Sequence, residues 1–122
     1  MAARLDSGPT GEKPIEEQVR EQTGQQQIRL RIDERNMKTS YANAFRTNGT
    51  AEEVMLDFGL NLVVPTQQGQ QPEILFQVND RVILNYYSAK RLAITLGQLI
   101  RRHEEQFGEL EMDAAKRRKD SV

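Results

Sequence analysis

The chain has 122 residues, 17 of them basic and 18 acidic, with a net charge of −1 at neutral pH. That length sets one domain as the ceiling, and the near-neutral balance lacks the basic excess of a dedicated nucleic-acid binder. Cysteine is absent, which excludes disulfides and thiolate metal sites.

No apolar run approaches the roughly 20 residues that a membrane span needs. No apolar core follows Arg4 to make a signal peptide, so cytoplasmic residence is the expectation. Residues 1–27 are rich in Gly, Pro, Glu, Gln and Thr, with Leu5, Ile15 and Val19 as the scattered apolar positions. Such a composition cannot bury enough surface to offset its ordering entropy. The segment reads as a disordered tail in which a short helix around Ile15 to Glu21 is permitted.

The folded part is expected over residues 28–110. Ile28, Leu30 and Ile32 alternate with Arg29, Arg31 and Asp33, the pattern of a half-buried strand. Glu34 to Ser40 is a polar connection. Tyr41 to Thr47 forms a weaker strand, closed by the turn dipeptide Asn48-Gly49, whose residues accept positive φ. Val54, Leu56, Phe58, Leu60 and Leu62 then fall at every second position, the clearest strand in the chain. Pro65 ends it, and a glutamine-rich loop with Gly69 follows.

Ile74, Phe76, Val78, Val82 and Leu84 share one phase of the next strand, with Asp80 interrupting it. One strand bulged at Asp80 fits this phase best, with a tight turn at Asn79-Asp80 as the other reading. The isolated Gly59 is also the mark of a bulge. Ser88 is a fitting N-cap. Ala89, Leu92, Ala93, Leu96, Leu99, Ile100, His103 and Phe107 recur at helical spacing, and Gly108 fits the position just past a helix C-terminus. Residues 111–122 form a polar tail.

These elements compose an α+β domain: a four-stranded antiparallel sheet with one long C-terminal helix packed on one face. The apolar face gathers Ile28, Leu30, Ile32, Val54, Leu56, Phe58, Leu60, Ile74, Phe76, Val78, Val82 and Leu84. The other face carries Arg29, Arg31, Asp57, Asn61, Gln77, Asn79 and Arg81. One helix, about 10 Å across, covers four strands spaced about 4.8 Å apart poorly. A second copy of the chain is the simplest further cover. Lys90, Ala93, Ile94, Gly97 and Arg101 line one side of the helix and form the candidate subunit contact. Gly97 either admits another helix there or makes room for a bulky side chain of its own sheet.

No catalytic, cofactor or metal constellation stands out. His103 is the single histidine, lies on the apolar stripe, and reads as a half-buried side chain bonded to a carbonyl rather than an acid or base. Asp57 is expected to pair with Arg81 or Arg31 across strands. A nucleic-acid reading remains as the alternative. It would use Arg29, Arg31 and Arg81 with the basic run Lys116, Arg117, Arg118 and Lys119 as anion contacts, and Tyr41, Phe45, Tyr86 and Tyr87 as stacking surfaces.

Five segments carry a family resemblance: Tyr41-Ala42-Asn43, Glu53 to Phe58, Arg81 to Leu84, Ser88 to Leu92, and His103 to Gly108. In order and spacing they resemble a small bacterial and archaeal family catalogued as domain of unknown function 3467. Tyr87 and His103 depart from its pattern. The resemblance implies no activity. The strands-then-helix order is also similar in architecture to the export chaperone SecB, which by analogy implies an oligomer with apolar surface for unfolded chains. The sequence therefore points to a non-enzymatic, homo-oligomeric binding or adaptor protein of chaperone-like character.

Overall fold

The computed structural model describes residues 15–120. In chain order the elements are helix α1 (Ile15–Thr23), strands β1 (Ala44–Gly49), β2 (Glu53–Val64) and β3 (Glu73–Asn85), helix α2 (Tyr86–Phe107) and helix α3 (Ala114–Asp120). The chain divides into two compact units. One is Arg31–Lys90, which holds the sheet and the first turn of α2. The other joins the described residues up to Leu30 to those from Arg91 onward.

The fold is α+β, with three strands rather than four. The sheet order is β1-β2-β3 and both pairs are antiparallel. Ile28–Asp33 has the alternation of a strand but lies in no ladder. Alternation makes a segment amphipathic when extended; a strand also needs a neighbour for its N–H and C=O groups. A local turn ends the run. The Asp33 carboxylate accepts the Arg35 N–H at 3.0 Å and its guanidinium at 2.6 to 3.1 Å, and the Met37 N–H donates to Glu34 O at 3.1 Å.

β3 is one strand with a bulge. Phe58 pairs with Asp80 and Gly59 with Val78, so Asn79 is the extra residue. Gly59 sits at that irregularity because backbone crosses it closely. A Cβ there would collide with the Gln77 carbonyl oxygen and lie 2.9 Å from Val78 Cα. The bulge also changes which side chains share a face. Paired residues point the same way, so Val82 and Leu84 join Leu56 and Val54, whereas Val78, Phe76 and Ile74 join Gly59, Asn61 and Val63. The expected single apolar face is thus split. Leu75 and Gln77 take the places assigned to Ile74, Phe76 and Val78, and both faces carry apolar side chains.

The β1–β2 reversal comes later than Asn48-Gly49. Those two residues pair with Met55 and Val54, and the turn is Thr50 to Glu53. The Thr50 N–H donates to Glu53 O at 2.9 Å, and Thr50 Oγ1 accepts the Glu52 and Glu53 N–H groups at 3.2 and 3.1 Å. Gly49 is present for space, not for φ, which is not positive there. A Cβ would lie 2.6 Å from the Tyr86 hydroxyl, which itself donates to Thr50 O at 2.8 Å.

α2 begins two residues before the expected cap. Asn85 Oδ1 accepts the Ser88 N–H at 2.8 Å, so Asn85 is the N-cap and Ser88 lies in the first turn. Gly108, at φ 96°, donates its N–H to Glu104 O at 2.8 Å and closes the other end as expected. α1 falls inside the segment expected to be disordered. Glu16 and Glu17 complement the dipole of its first turn, and Gly24, at φ 75°, caps it onto Arg20 O at 2.7 Å. Residues 1–14 of that tail lie outside the described residues. α3 falls within the polar tail.

Burial is the property in which this protein is most unusual. Among the described residues no hydrophobic side chain is buried. On β3, Ile74 is 62% and Ile83 53% exposed, and the α2 stripe from Leu92 to Phe107 is exposed as well. In α2 the better-covered side is the one bearing Arg91, Thr95 and Gln98.

Candidate functional site

The three strands place Arg46, Asp57 and Arg81 in one row across the sheet, because Arg46 pairs with Asp57 and Asp57 with Arg81 in the register. Asp57 is 3% exposed, the single buried charged residue among the described residues. Arg46 Nε donates to Asp57 Oδ2 at 2.7 Å. Arg81 Nε donates to Oδ1 at 2.7 Å and Nη2 to Oδ2 at 2.9 Å, a two-pronged grip. The Arg81 guanidinium foremost, with that of Arg46, holds the Asp57 carboxyl well below the usual carboxylate range. Arg81 is raised in turn by its bond to Asp57.

A buried charge persists only when it is paired and hydrogen-bonded. Here both carboxylate oxygens are engaged, so Asp57 stays ionised at neutral pH and has no proton to give. The row is an electrostatic strap across β1, β2 and β3. The Arg81 pairing was legible in the sequence; Arg31 lies outside the sheet and is not a partner. Arg46 was missed because a turn at Asn48-Gly49 sets a register that does not bring it opposite Asp57. Asn43 adds a second latch. Its N–H donates to Gly59 O at 3.0 Å and its side-chain oxygen accepts the Asn61 N–H at 2.9 Å.

Asp80 faces the other side of the sheet, in a recess lined by Lys38, Ser40, Ala42, Phe58 and Val82. It therefore does not form a carboxylate pair with Asp57. His103 is exposed rather than half-buried, and its ring lies 4.9 Å from that of Phe107, tilted by 44°. Among the described residues no group of three His, Cys, Asp or Glu side chains comes together to hold a metal ion. No helix among them is long and apolar enough to cross a membrane.

In the other unit, Arg91 Nε donates to Glu21 Oε1 at 3.1 Å and joins α2 to α1. Nearby on α2, Thr95 Oγ1 and Gln98 Oε1 are buried without a hydrogen-bond partner. Sequence periodicity gave no hint of this, since it singles out the apolar stripe and not the polar side.

Lys90, Ala93, Ile94, Gly97 and Arg101 all lie exposed on α2. A Cβ at Gly97 would meet nothing within 4 Å, so this glycine does not make room for a side chain of its own protomer. Of the anion-contact candidates, Arg29 and Arg31 are exposed outside the sheet, and Arg81 is committed to Asp57. Lys116 and Arg117 are exposed on α3. Arg118 and Lys119 belong to the same helix, with side chains outside the described residues. Tyr41 and Phe45 are 75% and 69% exposed, whereas the Tyr86 hydroxyl is bound to Thr50.

The family described as "Protein of unknown function (DUF3467)" matches residues 9–112. No curated protein matches the chain, and no solved structure does. The match spans most of the sequence, and the chain belongs to this family.

Proposed function

We propose that this member of the family is a small, non-enzymatic binding or adaptor protein that works in the cytoplasm as a homo-oligomer, with chaperone-like capture of unfolded chains as its activity. One observation carries the reading. The described residues include no buried hydrophobic side chain, yet both sheet faces and the α2 stripe bear apolar residues. A fold holds its order only if apolar burial offsets the entropy of fixing the chain. Where the described residues hold no buried hydrophobic side chain, that burial comes from outside them, and identical copies are the most available source. Exposed apolar area of this extent is otherwise a mark of protein-binding surfaces.

The candidate contact at Lys90, Ala93, Ile94, Gly97 and Arg101 fits this reading, because open space at Gly97 lets another backbone approach. The SecB analogy adds the client class: extended apolar segments. The assay is sedimentation across the micromolar range, followed by light scattering of a chemically unfolded reporter protein diluted into the sample. The reading expects an oligomer with concentration-dependent mass and suppressed aggregation of the reporter. A stable monomer throughout would overturn it. A salt-dependent shift of RNA or DNA that is lost on deleting residues 111–122 would favour the nucleic-acid reading instead.

A further inference from the structure

We propose that the recess beside the β3 bulge binds a small zwitterion, an α-amino acid with an apolar side chain. Its ammonium group meets Asp80, its carboxylate meets Lys38 and Ser40, and its side chain lies on Phe58 and Val82. The proposal goes beyond the oligomeric reading above and does not depend on it.

Asp80 marks the place. It interrupts the apolar phase of β3, and the register seats it across from Phe58. Val54, Leu56, Leu60 and Leu62 share that face of β2 with Phe58, by the alternation of the strand. A carboxylate in such company adds nothing to packing. It has no pairing role either, since among the described residues the Asp80 side chain has no ion-pair or hydrogen-bond partner. Asp80 also follows Asn79, the extra residue of the bulge, and bulges re-aim side chains beside binding sites.

The recess has a volume of about 320 Å³ and is lined by Lys38, Ser40, Ala42, Phe58, Asp80 and Val82. Small-molecule sites span about 300–1,000 Å³. β2 and β3 supply the floor. The wall is the extended segment 38–42, in which every second residue lines the recess, the spacing at which an extended chain presents one side. Both ends of this wall are fastened. The Met37 N–H donates to Glu34 O at 3.1 Å, and the Asn43 N–H donates to Gly59 O at 3.0 Å. The Asn43 side-chain oxygen accepts the Asn61 N–H at 2.9 Å. The wall is therefore in place before a ligand arrives, which lowers the ordering cost of binding.

Charge selects the ligand. The Lys38 ammonium, like the Asp80 carboxylate, has no partner among the described residues. One recess thus holds a cation and an anion that do not neutralise each other. A simple anion gains at Lys38 and is repelled at Asp80, and a simple cation meets the reverse. A ligand carrying both charges gains at both. The Ser40 hydroxyl is a further donor for its carboxylate, and Ala42, Phe58 and Val82 offer apolar surface to its side chain.

The test is titration of the full chain with L-leucine and with L-phenylalanine, followed by backbone amide NMR. Saturating shifts are expected at residues 38–42, 58 and 80–82. Leucinamide lacks the carboxylate and 4-methylpentanoate lacks the ammonium group. Each should bind at least about tenfold more weakly than leucine, the scale of one lost hydrogen bond to a charged group. Asp80→Asn and Lys38→Gln, both at exposed positions, should each weaken leucine binding by a similar factor with unchanged circular dichroism. The assignment is overturned if neither amino acid gives saturating shifts, if the shifts centre on α2, or if the singly charged analogues bind as well as leucine. Sedimentation of the same samples reads the oligomeric state separately, so failure of one reading is distinguishable from failure of the other.

Discussion

Gly59→Ala tests the central joint of the sheet. The added Cβ would collide with the Gln77 carbonyl oxygen and lie 2.8 Å from the Gln77 carbonyl carbon and 2.9 Å from Val78 Cα. Comfortable carbon contacts begin near 3.5 Å, so β3 must withdraw from β2 by roughly 0.6 Å or more at the bulge. The obstructing atoms are backbone, held by the ladder on either side, and cannot swing away as a side-chain tip does. Overpacking of this kind costs typically about 1–3 kcal/mol. Replacing a strand glycine recovers about 0.5–1 kcal/mol of chain entropy. The net loss is about 1.3 kcal/mol, some ninefold in the ratio of folded to unfolded chains. Urea titration followed by circular dichroism measures it, with protein concentration held constant because association shifts the midpoint. A midpoint equal to or above that of the wild type would refute the close approach and, with it, the phase switch across the bulge.

Other substitutions check other joints. Asp57 has a lowered pKa in the folded state, so its contribution is complete above the unfolded-state value near 4 and is lost as pH falls toward the folded value. Asp57→Asn should therefore flatten the fall in stability between neutrality and acid; an unchanged acid profile would show that the strap does not set it. Asn85→Ala should lower stability by about 1 kcal/mol through loss of the α2 cap, with Ser88→Ala changing it far less, and equal effects would return the cap to Ser88. Gly49→Ala pushes against the Tyr86 hydroxyl at 2.6 Å. Combining it with Tyr86→Phe, which removes that oxygen, should cost less than the two single changes added together, and strict additivity in thermal unfolding would place the obstruction elsewhere.

Several features were readable from residue order alone because their causes are local. The period of Leu92 to Phe107 and the glycine at 108 define the end of α2, since helical side chains and a left-handed cap depend on neighbours a few residues away. The alternation of Val54 to Leu62 and the paired irregularities at Gly59 and Asp80 announce two strands and a bulge. Family membership follows from the same short segments.

What only the tertiary structure decided concerns partners distant in sequence. Ile28–Asp33 alternates as a strand should, but ladder partners come from elsewhere in the chain, and none is supplied among the described residues. The bulge turns Ile74, Phe76 and Val78 to the face opposite Val82 and Leu84, because one extra residue reverses the pleat for everything beyond it. The hairpin register, set by Thr50 to Glu53, chose Arg46 as the second guanidinium on Asp57. Apolar pattern marks which side chains gain from leaving water; it does not say what they meet, and among the described residues no hydrophobic side chain is buried.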